Sequence, residues 1–178
     1  MLKNKERVVV LIDGPNLTAT LAALDLRIDF DLLVDSLELR NSIIVGVHWY
    51  SAVFFERDGV AKIMPFLDRL AHQGFILHTK QAKKIGDTMK GNMDVELSWD
   101  MRELCDHIDH IVLFSGDGDF KYAVERAQLR GKYVTVVSSV RTQPYPMVDN
   151  ELRKKANKFV DIADLSVCFV SRPSRLWS

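Results

Sequence analysis

The sequence offers little that would select a specialised class of protein. Only two cysteines occur in 178 residues, Cys105 and Cys168. Two cysteines make no disulfide framework and no zinc spacing, and they read as reduced thiols of a cytoplasmic protein. Net charge is also missing: 24 basic side chains balance 24 acidic ones. That excludes a protein that coats nucleic acid through bulk charge, but not a local basic patch beside an acidic site. Long apolar runs are absent. "VVVLI" near the start is broken by Asp13, too short for the apolar core of a signal peptide. No stretch approaches the roughly 20 apolar residues of a membrane helix, so no membrane partner is expected. Internal repeats, a phosphate-binding P-loop and a G-x-G-x-x-G turn are absent too.

What is present is alternation. "RVVVLI" (7–12), "SIIVGVHWYSAV" (42–53), "FILHTK" (75–80), "HIVLFS" (110–115) and "KYVTVVSS" (132–139) are short β-rich runs that read as strands. "KFVDIADL" (158–165) offers a last one. Between them, 29–39, 59–73, 93–106, 119–130 and 148–157 carry apolar residues at helical spacing, with Gly131 placed to end the fourth helix. Pro65 sits inside the second of these, where it kinks the helix or delays its start. "QAKKIGDTMKGN" (81–92) reads as a basic loop. Strands alternating with helices predict a three-layer α/β domain over 1–165, with a mostly parallel sheet flanked by helices. Residues 166–178 are expected to pack on that domain or extend it, as an edge strand and a frayed end. Phe169 and Trp177 make this tail a possible homodimer contact.

In such sheets ligands bind beyond the carboxyl ends of the strands, near a switch in strand order. Asp13 ends the first strand in "LIDGPN", and Asp117 and Asp119 follow the fourth in "FSGDGDF". Adjacent parallel strands would bring Asp13 and Asp117 to one edge across about a hundred positions. Asp94 begins the helix after the basic loop and can reach the same edge. Carboxylates so crowded repel unless protonated, paired or bound to a cation, and Mg²⁺ or Mn²⁺ takes oxygen ligands of this kind. Asp119 fits two roles, helix cap or outer ligand. Asn16 offers an amide to orient a water or a substrate phosphate. Asp100 lies six residues after Asp94, about 240° further round the helix, and points elsewhere. Glu96 reads as solvated surface.

Taken together, "VVVLIDGPNL", "KGNMDVELSWDM", "IVLFSGDGDF", "GKYVTVVS" and "ANKFVDIADL" resemble, in order over residues 7–165, the NYN domain in its LabA-like (DUF88) branch. That resemblance implies the PIN-like nuclease superfamily: a Rossmann-like sheet, an acidic cluster that binds Mg²⁺ or Mn²⁺, and endoribonuclease activity. Carried over by motif, Asp13 and Asn16 come from the first-strand signature, Asp94 from "K-G-x-x-D-V", and Asp117 and Asp119 from "S-G-D-x-D-F". Asp13, Asp94 and Asp117 are the implied metal ligands. Lys90 and Ser115 match positions near the site.

A divalent ion there would acidify water for attack on phosphorus and offset charge on the phosphoryl oxygens. The substrate would need positive charge around this negative centre. Lys80, Lys83, Lys84 and Lys90 supply it beside Asp94, and "RKK" (153–155) with Lys158 offers a second patch. Phe75, Trp49 and Tyr50 are aromatic enough to stack on bases, although strand aromatics are more often core. RNA is the foremost expected partner, with DNA the alternative. The competing class is a catalytically silent RNA-binding or scaffold module; retained carboxylates argue against it, because they repel phosphate unless a metal bridges them. Asp117 and Asp119 also mimic the paired aspartates of haloacid-dehalogenase phosphatases, but that pair follows a first strand, not a fourth. An EF-hand loop fails on its remaining ligands. Cys105, His107 and His110 form C-x-H-x-x-H at a helix end without a fourth zinc ligand.

Overall fold

The structure is a computed structural model that describes residues 5–30, 32–33, 42–54, 62–85, 88–165 and 169–171, with the backbone alone at 84–85, 88–90 and 169–171. Among the described residues, six strands form the main sheet: β1 (Glu6–Asp13), β3 (Ser42–Val53), β4 (Ile76–Gln81), β7 (His110–Phe114), β8 (Tyr133–Ser138) and β9 (Lys158–Asp161). Their order is β4-β3-β1-β7-β8-β9, and every neighbouring pair runs parallel. From β1 the chain first winds outward through β3 and β4. It then returns to the other side of β1 for β7. The switch in strand order therefore lies between β1 and β7, where crossovers open a crevice at the carboxyl ends.

The central strands are buried on both faces, which is why they read as continuous apolar runs. On one face Val8, Val10, Ile12, Trp49 and Phe114 pack against α1 (Gly14–Ala23) and α2 (Met64–His72) through Leu17, Leu21, Leu67 and Leu70. On the other, Val9, Leu11, Ile111, Leu113 and Val136 pack against α3 (Asp94–Leu104), α4 (Lys121–Leu129) and α5 (Asn150–Lys155) through Leu97, Met101, Val124 and Leu152. Each fully buried large side chain contributes about 1.5–3 kcal/mol. Together these faces make the three-layer α/β arrangement that the alternation predicts.

Local chemistry explains the boundaries. Pro65 falls in the first turn of α2, where a missing N–H costs nothing, so it starts the helix instead of kinking it. A 3₁₀ turn over Gly118–Phe120 precedes α4, and Gly131, at φ +75°, follows its end in the left-handed conformation that glycine adopts freely. Val45 is an extra residue in β3, since Val8 pairs with Ile44 and Val9 with Gly46.

Three segments differ from the sequence reading. Residues 14–28, left without an element, form α1 and β2 (Leu26–Ile28); Asp13 caps that helix and Pro15 lies in its first turn. The basic stretch 81–92, expected as a loop, contains a hairpin of β5 (Lys83–Ile85) and β6 (Thr88–Lys90). The tail strand β10 (Phe169–Ser171) pairs antiparallel with β2 in a separate small sheet and does not edge the main one. Most of the helix expected over 29–39 lies outside the described residues, although Phe30 and Leu33 are buried in the core as their spacing requires. Trp177 also lies outside them.

Candidate metal centre

β1 and β7 are neighbours in register, with Ile12 opposite Phe114, so the chain leaves both strands at the same edge. Asp13 is the last residue of β1 and the N-cap of α1; its Oδ1 accepts the Asn16 amide N–H at 3.3 Å. Its Oδ2 accepts the Ser115 hydroxyl at 2.9 Å. The same hydroxyl accepts the Asp117 N–H at 3.1 Å, and the Asn16 Oδ1 accepts the Gly116 N–H at 2.9 Å. Two of these hydrogen bonds, from Ser115 to Asp13 and from Gly116 to Asn16, stitch the turn after β1 to the turn after β7.

Asp117 caps the 3₁₀ turn, its Oδ1 accepting the Asp119 N–H at 2.9 Å. Capping therefore falls to Asp117 and not to Asp119: the N-cap of α4 is Phe120, which makes no side-chain cap. Asp94 opens α3, and the Asn92 side-chain amide donates to its Oδ2 at 2.6 Å. Asp94, Asp117 and Asp119 each present a carboxylate oxygen within 4.8 Å of the other two. Asp13 is not part of that tight trio. It lies alongside, close enough for the charges of Asp94 and Asp117 to act on it.

Electrostatics records the crowding. Burial, reinforced by Asp94 and Asp117, pushes the Asp13 carboxyl up to about 6, against the pull of the Ser115 and Asn16 hydrogen bonds. Asp94 is also raised, by burial first and then by Asp117 and Asp119, with Lys80 opposing. A cation among these groups would reverse that logic. The donors are all oxygen, which suits a hard divalent ion.

Gly116 and Asp149 hold the second turn in place. A Cβ on Gly116 would come within 1.9 Å of the Met147 carbonyl oxygen, so only glycine lets these segments meet. The Asp149 N–H donates to the Gly116 oxygen at 2.8 Å while its Oδ1 caps α5 at the Leu152 N–H. Sequence reasoning missed Asn92 and Asp149. Each carried a signal: an amide two residues before Asp94, and an aspartate three residues before Leu152 at the start of a helical run.

The basic residues are less free than the sequence suggests. Lys80 donates to Glu96 Oε1 at 2.7 Å, so Glu96 is paired and not merely solvated. Lys83 is exposed on β5, and the side chains of Lys84 and Lys90 lie outside the described residues. In the second patch, Lys154 pairs with Glu151, Lys155 pairs with Glu125, and Arg153 lies over the Phe159 ring. Trp49, Tyr50 and Phe75 are buried and present no stacking face. Asp100 points away from the acidic cluster, toward Tyr50 and His78.

A doubly wound parallel sheet with clustered carboxylates at its switch point defines the class: a Rossmann-like α/β protein with a candidate divalent-metal centre. The chain belongs to the NYN domain family, whose model matches residues 7–164, and that domain is PIN-like. It is 29% identical over 177 residues to the low amplitude and bright protein LabA of Synechococcus elongatus, covering 95% of this chain and 90% of that one. It is 30% identical over 139 residues to the uncharacterized protein MJ0482 of Methanocaldococcus jannaschii, covering 77% of this chain but 49% of that longer one. Among solved structures it resembles VPA0982 of Vibrio parahaemolyticus, a protein of unknown function, with a TM-score of 0.77, 26% identity, and coverage of 96% of this chain and 99% of that one. None of the helices of the described residues is long and apolar enough to cross a membrane.

Proposed function

We propose that this protein is a metal-dependent nuclease, an endoribonuclease that hydrolyses phosphodiester bonds with Mg²⁺ or Mn²⁺. One observation carries the reading: Asp94, Asp117 and Asp119 converge within 4.8 Å beside Asp13, at the edge where open α/β sheets bind ligands. Asp94, Asp117 and Asp119 would hold the ion, with Asp13 beside them as a further ligand. When bound, the ion supplies positive charge that acidifies water and offsets the charge that develops on the phosphoryl group.

The chain's own residues do the rest. Ser115 keeps Asp13 ionisable by donating to it, and fixes its distance from Asp117. Asn16 locks the two turns together, so the carboxylates do not splay under their own repulsion. Asn92 aims the Asp94 carboxylate. Lys80 on β4 and the exposed Lys83 on β5 would supply positive charge to the substrate strand. Contacts of that kind attract phosphate without reading sequence.

The test is cleavage of end-labelled single-stranded RNA and DNA with Mn²⁺, Mg²⁺ or EDTA, for the wild type and for Asp13→Asn and Asp117→Asn. Metal-dependent cutting of RNA, lost in both variants, is the expected result. RNA binding that needs no metal and leads to no cutting would favour the silent module instead.

A further inference from the structure

A second group of ligand-type side chains lies beside the acidic centre and has no part in the reading above. Asp13, Tyr50 and His78 are successive register partners across β1, β3 and β4, so they share a level on the sheet. His48 precedes Tyr50 by two residues and lies on the same face. α3 covers that face and contributes Asp100. The Tyr50 hydroxyl donates to Asp100 Oδ2 at 2.9 Å, and the same oxygen lies 3.4 Å from His78 Nδ1. His48 Nδ1 faces His78 Nε2 at 3.0 Å. His48, His78 and Asp100 each present one ligand atom, and the three lie within 4.8 Å of one another.

We propose that His48, His78 and Asp100 bind a borderline transition-metal ion of the Zn²⁺ class, at a centre separate from the acidic one. The donor set decides the ion: two imidazole nitrogens with one carboxylate suit Zn²⁺, Ni²⁺ or Cu²⁺, whereas all-oxygen sites suit Mg²⁺ or Mn²⁺. The aim of the rings agrees. His48 Nε2 lies against Gly46, where an added Cβ would stand 2.9 Å away, so Nδ1 is the nitrogen that faces the cluster. Tyr50 orients the Asp100 carboxylate through its hydroxyl, the part that outer hydrogen bonds play around metal ligands.

Spacing separates the two centres. Asp94 and Asp100 are six residues apart on α3, about 9 Å along the helix axis. Ions that act together on one phosphate stand about 3.5–4 Å apart. The histidine centre is therefore not the second ion of a two-metal nuclease, and it stands or falls independently of cleavage. It is reachable, because His78 and Asp100 line a cleft of about 600 Å³ together with Lys80 and Trp99. Three protein ligands would leave one tetrahedral position for water or a further ligand.

Titration of the EDTA-stripped full-length protein with Co²⁺, followed by Zn²⁺ displacement, tests this. The expected result is one equivalent of Co²⁺ giving visible ligand-field absorption that Zn²⁺ abolishes. The absorption persists in Asp117→Asn, and affinity falls by about tenfold or more in both His78→Gln and Asp100→Asn. Far-UV circular dichroism of each variant checks the fold. If His78→Gln does not fold, Asp100→Asn decides alone, since its position on α3 is partly exposed. Absorption lost in Asp117→Asn but kept in Asp100→Asn would overturn the proposal, as would its retention in both cluster variants. Its absence from the wild type would show the row to be hydrogen-bonded only.

Discussion

Ser115 and Asp13 meet at 2.9 Å, although 102 positions separate them. The hydroxyl donates to one oxygen of Asp13 and accepts the N–H of Asp117, so a single small side chain sets the spacing between two turns. That bond also opposes the burial that favours the protonated form of Asp13.

Ser115→Ala removes the donor, and the Asp13 carboxyl should then rise further above about 6. We expect the pH midpoint for Mn²⁺ binding to move upward, with a stability loss of about 1 kcal/mol. Calorimetric titration of Mn²⁺ between acid and neutral pH checks it. An unchanged midpoint would remove Ser115 from the electrostatics of the site.

Asp13 should make the metal-free protein pH-sensitive. Its folded-state pKa is raised, from 3.8 to about 6, so its favourable contribution is complete below the unfolded value and disappears as pH rises through about 6. The difference is at most about 3 kcal/mol. In EDTA, Asp13→Asn should therefore gain stability over wild type at neutral pH but not near pH 4. Urea unfolding at the two pH values measures this, and equal effects at both would refute it.

Asp119→Asn separates ligand from cap. Because Asp117 and not Asp119 caps the 3₁₀ turn, this change should leave thermal stability in EDTA within about 0.5 kcal/mol of wild type. It should nevertheless weaken Mn²⁺ binding by about tenfold or more. A large loss of metal-free stability with unchanged Mn²⁺ affinity is the contrary result.

Gly116→Ala places a Cβ against the Met147 carbonyl. The backbone must shift to accommodate it, at a cost of about 1–3 kcal/mol, and Asp117 shifts with it. Chemical unfolding and Mn²⁺ titration should both worsen. A variant of native stability would mean that the 144–149 segment yields freely.

Lys80→Ala should cost little stability, under about 1 kcal/mol, since its pair with Glu96 is substantially exposed. If Lys80 contacts phosphate, RNA affinity falls and the salt dependence loses about one unit of slope. An unaltered slope would confine Lys80 to its ion pair.

The architecture was legible because burial on both faces forces unbroken β-branched runs such as "RVVVLI", and because those runs alternate with amphipathic helices. The acidic residues were legible for a related reason: in such folds the end of a strand is an address, and Asp13 and Asp117 occupy two of them. α1 was harder to see. Its cap is the same aspartate that serves the site, and its small threonines and alanines carry a weak apolar stripe. The hairpin at 83–90 was hidden by its composition, since lysine and glycine signal a loop whether or not the backbone pairs. His48, His78 and Asp100 stand 30 and 22 positions apart, with no motif to join them.

From sequence alone followed the layer order, the strand ends that carry carboxylates, and an all-oxygen donor set of the kind a hard cation takes. These are properties of residue type and period, which neighbours along the chain determine. Tertiary structure alone decided that Asp119 joins Asp94 and Asp117 while Asp13 stands beside them, and that Lys80, Lys154 and Lys155 are already paired. It also gathered two histidines of the neighbouring strands and an aspartate of α3. Such outcomes depend on strand order, register and helix rotation, which sum contacts over the whole chain and leave no trace in any single stretch of it.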